Sequence, residues 1–185
     1  MITITRATTI DDINGILQLH LLNLKGNISN EEAQHEGFVS AEYDLNSLNK
    51  INSICPSIIA VDITKKIIGY ALVVTKEFYG HHDLLDDLFR SVDALSFNGE
   101  CLEGISYVIV GQLCVAKSFR GQGVVQMMYN FYRDELCSKY KYCITDIASN
   151  NPRSLKAHLK TGFQVIDSKG YGGLTWDVVL WDWRN

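Results

Sequence analysis

Residues 119–125 read Phe-Arg-Gly-Gln-Gly-Val-Val and set two glycines and an arginine between a β-rich run and an amphipathic one. Upstream, residues 105–115 are largely apolar and interrupted at Gly111 and Gln112, the pattern of a buried strand with a local bulge. Downstream, Val124, Met128, Phe131 and Tyr132, with Val125 and Leu136 beside them, keep helical spacing as far as Tyr140. The first amides of a helix have no intrahelical partner, and the macrodipole puts positive character there. Gly121 and Gly123 clear side chains from that end and Arg120 adds a fixed charge, so the turn suits a phosphate or pyrophosphate.

Two nucleotide motifs with this geometry are excluded. A P-loop requires Lys and then Ser or Thr after its second glycine, whereas Gly123 is followed by Val124 and Val125. A Rossmann turn starting at Gly121 would need glycine at 126, where Gln126 stands. Later in the chain, Asn151, Ser154 and His158 are spaced by three and four residues and so share one helix face. Pro152 suits the first helical position with Asn151 as its cap, while Leu155 and Leu159 point elsewhere, to packing. Asp146 lies in residues 142–148, which read as a buried strand, and a charge there needs a reason.

Arg120-x-x-Gly123-x-Val125 resembles the Q/R-x-x-G-x-G/A signature of the GCN5-related N-acetyltransferases (GNAT), in which the loop holds the pyrophosphate of coenzyme A. Residues 151–163, an Asn-initiated helix ending in Gly162-Phe163 and a strand, resemble a later motif of the same family. The resemblance implies one GNAT domain over residues 1–185, an α/β fold with a central mixed, mostly antiparallel sheet of about seven strands, splayed at the cofactor cleft and flanked by helices. Acetyl-CoA, or coenzyme A, is the implied co-substrate, and no metal is implied. Main-chain groups of Leu113, Cys114 and Val115 would hold the pantetheine arm. Arg120 and the amides of Gly121, Gln122, Gly123, Val124 and Val125 would take the pyrophosphate, with Asn151 and Ser154 facing the cleft. Val125 carries a side chain where the family prefers little or none, which predicts a shifted helix more than lost binding, since amides make the contact.

His158 stands where the family pattern usually has a tyrosine, the proposed acid for the departing thiolate. A phenol with a pKa of about 10 donates while neutral, whereas a histidine near ~6.5 must first be protonated. Three roles stay open for His158: a cationic acid, a neutral base for the acceptor, or a hydrogen-bond partner of the sulfur. Asp146 is the carboxylate candidate for the base, its alternative being a pairing that orders the cleft. Cys114 offers an acyl-cysteine route, set against the ordinary reading of a buried thiol. The expected activity is direct transfer of an acetyl group from acetyl-CoA to a primary amine, small molecule or protein. The alternatives are a non-catalytic acyl-CoA-binding sensor and an O-acetyltransferase with His158 as base.

The elements that must position these groups are legible in outline. Residues 2–5 alternate as a first strand; Thr9 and Asp12 offer a capping box to a helix whose face is Ile13, Ile16, Leu17, His20, Leu21 and Leu24, His20 being packed. A short helix is expected from residues 29–32, ended by Gly37-Phe38, and a further turn or two over 44–51. Phe38 and Tyr43 either line the acceptor site or cap the core. Two β-rich runs, 57–63 and 67–75, form a hairpin around 64–66. Residues 78–99 read as a helical insertion over the sheet edge and a lid for the acceptor. Within it His81, His82, Asp83, Asp86 and Asp87 invite a metal reading, weighed against a solvated helix start. Strands are expected at 163–166 and 174–183 with a flexible loop at 170–173; Trp176, Trp181 and Trp183 pack core or an interface, and a homodimer through the last strands stays open.

At 185 residues the chain suits one domain with a substantial core. A net charge of -4 gives no basic footprint, so nucleic acid is not an expected partner. The start of the chain lacks the pattern of a secretory leader, and no run approaches the ~18 apolar residues of a membrane span, so no membrane association is expected. Five cysteines without a C-x-x-C pair fit reduced thiols and a cytoplasmic address.

Overall fold

The computed structural model describes residues 1–29, 31 and 37–184. In chain order its strands are β1 (Thr3–Arg6), β2 (Ile58–Val61), β3 (Ile67–Val74), β4 (Ser96–Phe97), β5 (Glu100–Cys101), β6 (Tyr107–Val115), β7 (Tyr142–Ala148), β8 (Gln164–Tyr171) and β9 (Leu174–Asp182). Seven of them form a sheet in the order β1-β2-β3-β6-β7-β9-β8, while β4 and β5 pair separately as a hairpin. Every neighbouring pair in the large sheet is antiparallel except β6 and β7. The helices are α1 (Ile10–Asn23), α2 (Leu45–Ile54), α3 (Asp83–Asp93), α4 (Val124–Leu136) and α5 (Pro152–Thr161).

Local chemistry accounts for the helix starts. Thr9 caps α1 in the expected reciprocal box with Asp12, and the Asp44 side chain accepts from the Ser47 amide to start α2. The sheet is buried on both faces, as alternation along β2 requires: Ile59 and Val61 pack with α1, α2 and α3, whereas Ile58 and Ala60 join the cluster of Met128, Tyr129 and Tyr132 on α4.

The only parallel pairing among the described strands is short. It covers Tyr107–Ile109 against Tyr142–Ile144, after which β6 and β7 diverge. The last tie is a side-chain one, the Thr145 hydroxyl donating to the Val110 carbonyl at 2.8 Å. Beyond it β6 holds only β3, and there the expected bulge is present, with Gly111 and Gln112 set between the Val73–Val110 and Ala71–Leu113 pairs. The bulge inverts the alternation of β6: Tyr107 and Ile109 face α1 to α3, whereas Leu113 and Val115 face α4.

Several boundaries differ from the sequence expectation. The insertion's helix, α3, lies on a face of the sheet and not over its edge, because Leu85, Leu88, Phe89 and Val92 pack in one cluster with Tyr107, Tyr142, Ile144 and Val178 of the central strands. Helix α4 ends at Leu136, four residues short of Tyr140, and α2 is longer than a turn or two. The loop at 170–173 is a two-residue hairpin turn at Gly172 and Gly173, both at positive φ, because β8 stays in register with β9 as far as Tyr171. Leu21 and Leu159 are exposed, while Leu19 and Asn23 take buried places on α1. The helix expected from 29–32 falls, apart from Ser29 and Glu31, outside the described residues.

Gly111 is held to glycine by contact: a Cβ there would lie 2.6 Å from Val74 Cγ2 and 3.3 Å from the Tyr43 hydroxyl. Gly111→Ala is expected to cost about 1–3 kcal/mol by overpacking. An unchanged midpoint in urea unfolding would contradict that account of the bulge.

Candidate active site

Where β6 and β7 part, a cavity of about 370 Å³ opens. Its walls come from Leu113, Cys114 and Val115 of β6, from Arg120, Gly121 and Gly123 of the turn, from Val124, Val125 and Gln126 of α4, and from Asn151, Ser154, Ala157 and His158 of α5. The Ala116 amide donates to the Ile68 carbonyl, so by antiparallel alternation the main chain of Cys114 also turns to β3, opposite Tyr70. Leu113 and Val115 therefore present their N–H and C=O groups to the opening. Cys114 contributes lining without those groups, and burial pushes its thiol up to about 12, which removes it as a nucleophile near neutral pH.

The turn is built as its glycines predict. Gly121 and Gly123 sit at φ 76° and 79°, Gly123 is the cap residue of α4, and no side chain occupies the helix start. A Cβ at either glycine would meet nothing within 4 Å, so it is backbone conformation that demands glycine there. Arg120 is tied down, donating from Nε to the Val115 carbonyl at 3.0 Å and from Nη2 to the Asn23 side chain at 2.6 Å. Gln122 is not part of the lining; its amide donates to the Ser118 carbonyl on the exposed side.

Helix α5 places the next three residues. Asn151 accepts from the Ser154 amide and donates from Nδ2 to the Phe38 carbonyl at 3.1 Å, so it caps the helix and pins Phe38 over the cavity. His158 Nδ1 lies 2.8 Å from the Ser154 carbonyl, which can only accept, so Nδ1 carries the proton and Nε2 a lone pair. The ring packs against Tyr129 and Phe163, and burial pulls its pKa down to about 4. Both features weigh against the cationic-acid role: burial disfavours the charged imidazole, and the N–H of its neutral form is committed to Ser154.

A second cavity, of about 50 Å³, adjoins the first, and Phe38, Leu113, Asn151, Ser154 and His158 line both. Its further walls are Gln112, Thr145 and Asp146, closed by Leu84 and Leu85 of α3 and by Trp176. Asp146 shares the face of Tyr142 and Ile144, while His158 approaches from the α4 side, so the gap is reached from both faces of the sheet. Burial raises the Asp146 carboxyl to about 6, against a smaller lowering by Lys169, whose Nζ lies 3.8 Å from Oδ2. Burial thus raises the one group and lowers the other, so that near neutral pH the imidazole is neutral and the carboxyl the stronger base.

The remaining candidates have structural partners. His20 is fully buried, accepts from the Tyr43 amide at Nε2 and meets the Tyr70 hydroxyl at Nδ1. Tyr43 donates to the Gly111 carbonyl and stacks on His82, whose Nε2 lies 3.1 Å from the Glu42 carbonyl. Among the described residues no three His, Cys, Asp or Glu side chains gather as metal ligands. Ala157 and Thr161, which line the large cavity, continue the Ser154 stripe at i+3 and i+7, a spacing visible in the sequence. Lys169 had no such signal, because β9 separates its strand from that of Asp146.

Sheet order, the splayed parallel pair, the αL turn and the Asn-capped helix give this chain the fold of the GCN5-related N-acetyltransferases. An acetyltransferase of the GNAT family from Streptococcus agalactiae 2603 superposes with a TM-score of 0.69 at 14% identity, covering 98% of this chain and 95% of that one. The NatC complex bound to Gag peptide and CoA gives 0.67 at 12%, covering 98% of both chains. The Salmonella typhimurium protein yncA with its cofactor acetyl-CoA gives 0.62 at 17%, covering 98% and 94%. No protein-family model and no curated protein matches the sequence.

Burial pulls His20 and His158 from the ordinary 6.5 down to about 4, so on acidification the unfolded chain takes up their protons first. Stability is therefore expected to fall as the pH drops from 6.5 towards 4, by roughly 3 kcal/mol per histidine at most. Urea unfolding of His158→Phe should show a smaller loss between pH 7 and pH 4.5 than the parent; an equal loss would mean that His158 is charged when folded.

Proposed function

We propose that this chain is an acyltransferase that moves the acetyl group of acetyl-CoA directly to a primary amine. The observation that carries the reading is the junction: a cavity beginning at an uncapped, glycine-flanked helix start meets, at Ser154 and His158, a small cavity holding a carboxylate with a pKa of about 6. The pyrophosphate would take the amides from Gly121 to Val125, where the dipole of α4 favours negative charge. The pantetheine arm would hydrogen-bond the outward-facing main chain of Leu113 and Val115, as a substitute for the missing part of β7. Structures of the same fold with CoA and with acetyl-CoA support the choice of cofactor.

The acceptor amine would enter the small cavity and attack the thioester carbonyl. As the C–N bond forms, the nitrogen becomes acidic and passes its proton to Asp146; the C–S bond then breaks. A thiol of pKa near ~8.5 can leave as thiolate without an obligatory acid, so the loss of the tyrosine position costs little. His158 Nε2 serves as a neutral acceptor that orients the amine N–H. The same low basicity argues against an alcohol acceptor with His158 as base, since a base of pKa about 4 is too weak for a hydroxyl.

Thiol release from acetyl-CoA, measured across a panel of amines and alcohols, tests the activity. Amine-dependent release with an acidic limb near pH 6 is expected, together with thermal stabilisation by coenzyme A; no stabilisation would remove the cofactor assignment. Asp146→Asn should lower kcat by about 10²–10⁴-fold with little change in coenzyme A affinity. It should also stabilise the protein. Burial holds the folded carboxyl at about 6, above its ordinary 3.8, so the charge opposes folding above about pH 6 and the penalty is relieved as the pH falls from 6 to 3.8. At pH 7 the variant should gain roughly 1–3 kcal/mol, and a variant that loses both turnover and stability would mark Asp146 as structural.

A further inference from the structure

Lys169 of β8 reaches across β9 to a place where three acceptors converge on its ammonium. Asp87 Oδ2 of α3 lies at 2.6 Å, Ser91 Oγ at 3.1 Å and Asp146 Oδ2 at 3.8 Å. The first two distances are hydrogen bonds and the third is not. Asp146 thus receives the ammonium's charge without its hydrogen bond, and its Oδ2 is buried with no hydrogen-bond partner. The Asp146 side chain keeps 9% of its exposure and lines the small acceptor cavity.

We propose that Lys169 and Asp87 are a positioning pair for this reaction: Asp87, carried on α3, holds the ammonium off Asp146 and thereby keeps that carboxylate able to take the acceptor's proton. This rests on Asp146 being the base. An ammonium that closed from 3.8 Å to hydrogen-bond distance would hold Asp146 in its charged, weakly basic form. With no cation nearby, burial would raise it further and leave a larger share of it protonated at neutral pH. The shared ammonium sets it between these limits.

The other groups around Asp146 leave the pair in control. Tyr43 faces it from the segment before α2, and burial raises that phenol beyond any ordinary titration range, so it stays neutral. His158, across the cavity on α5, is uncharged for the reason given above. Strand β9 presents Val178 opposite Asp146, and β6 presents Gly111 and Gln112 to the cavity. Asp87 itself adds a repulsion that favours the protonated carboxyl.

Carbon-13 carboxyl titration of the whole protein tests the pair without any acceptor, the Asp146 signal being assigned from its absence in Asp146→Asn. Asp87→Asn, nearly isosteric, both removes a negative charge and releases Lys169, so the Asp146 midpoint should fall by about one pH unit. Lys169→Met should move it up by a similar amount. Should Lys169→Met not fold, the Asp87→Asn shift decides alone: a midpoint that stays or rises overturns the proposal. The acidic limb of kcat/KM should follow both shifts. Midpoints that move while the limb stays would support the pair and overturn Asp146 as the base, separating the two readings.

Discussion

The structure depends on how briefly β6 and β7 run together. Three residue pairs of parallel ladder hold them, the Thr145 hydroxyl adds one tie, and beyond Val110 the strands separate within a sheet that is otherwise continuous. Main-chain groups left open inside a sheet must find partners elsewhere, because an unpaired buried amide or carbonyl costs free energy comparable to a lost hydrogen bond. Among the described residues the Val115 carbonyl accepts from Arg120 and the Leu113 carbonyl from the Gln112 side chain at 3.3 Å. The remaining edge asks for a ligand with amide groups of its own, and the bulge at Gly111 and Gln112 turns Leu113 and Val115 to the side where α4 begins.

The two ends of the gap are electrostatic opposites. At one, uncapped amides and a helix dipole favour an anion and cost nothing to keep open to solvent. At the other, a carboxylate sits in a cavity of about 50 Å³ behind Leu84, Leu85 and Trp176, and its ionisation is opposed by burial. A group held that way weakens the fold at neutral pH, the pattern expected of a carboxylate retained for use in its charged form. His158, between the two ends, is kept neutral by its aromatic neighbours and so disturbs neither.

The sequence carried the parts of this arrangement that are local. A glycine turn between periodicities, a bulge at Gly111 and Gln112, a capping box at Thr9 and an Asn-Pro helix start depend on neighbours within a few residues, and each is where its pattern put it. What depended on the sheet order was not visible. Lys169 lies 23 positions after Asp146 and meets it only because β9 runs between β7 and β8, and Asp87 joins them only because α3 packs on the face of the sheet and not over its edge. The protonation of His158 was likewise decided by Tyr129 and Phe163, partners that helical spacing along α5 cannot reveal.

That dependence bears on how the site would be assembled. The turn, α4 and α5, the proposed cofactor side, rest on one core cluster, whereas α3 and the face of β7 that carries Asp146 rest on the other. Only the gap between β6 and β7 joins them, with His158 reaching in from one side and Asp146 from the other. The basicity of Asp146 would accordingly depend on α3, because it is from that helix that Asp87 holds Lys169. Lining the acceptor cavity and holding the ammonium would then both fall to one stretch of α3, where Leu84 and Leu85 line the cavity and Asp87, three residues on from Leu84, takes the ammonium.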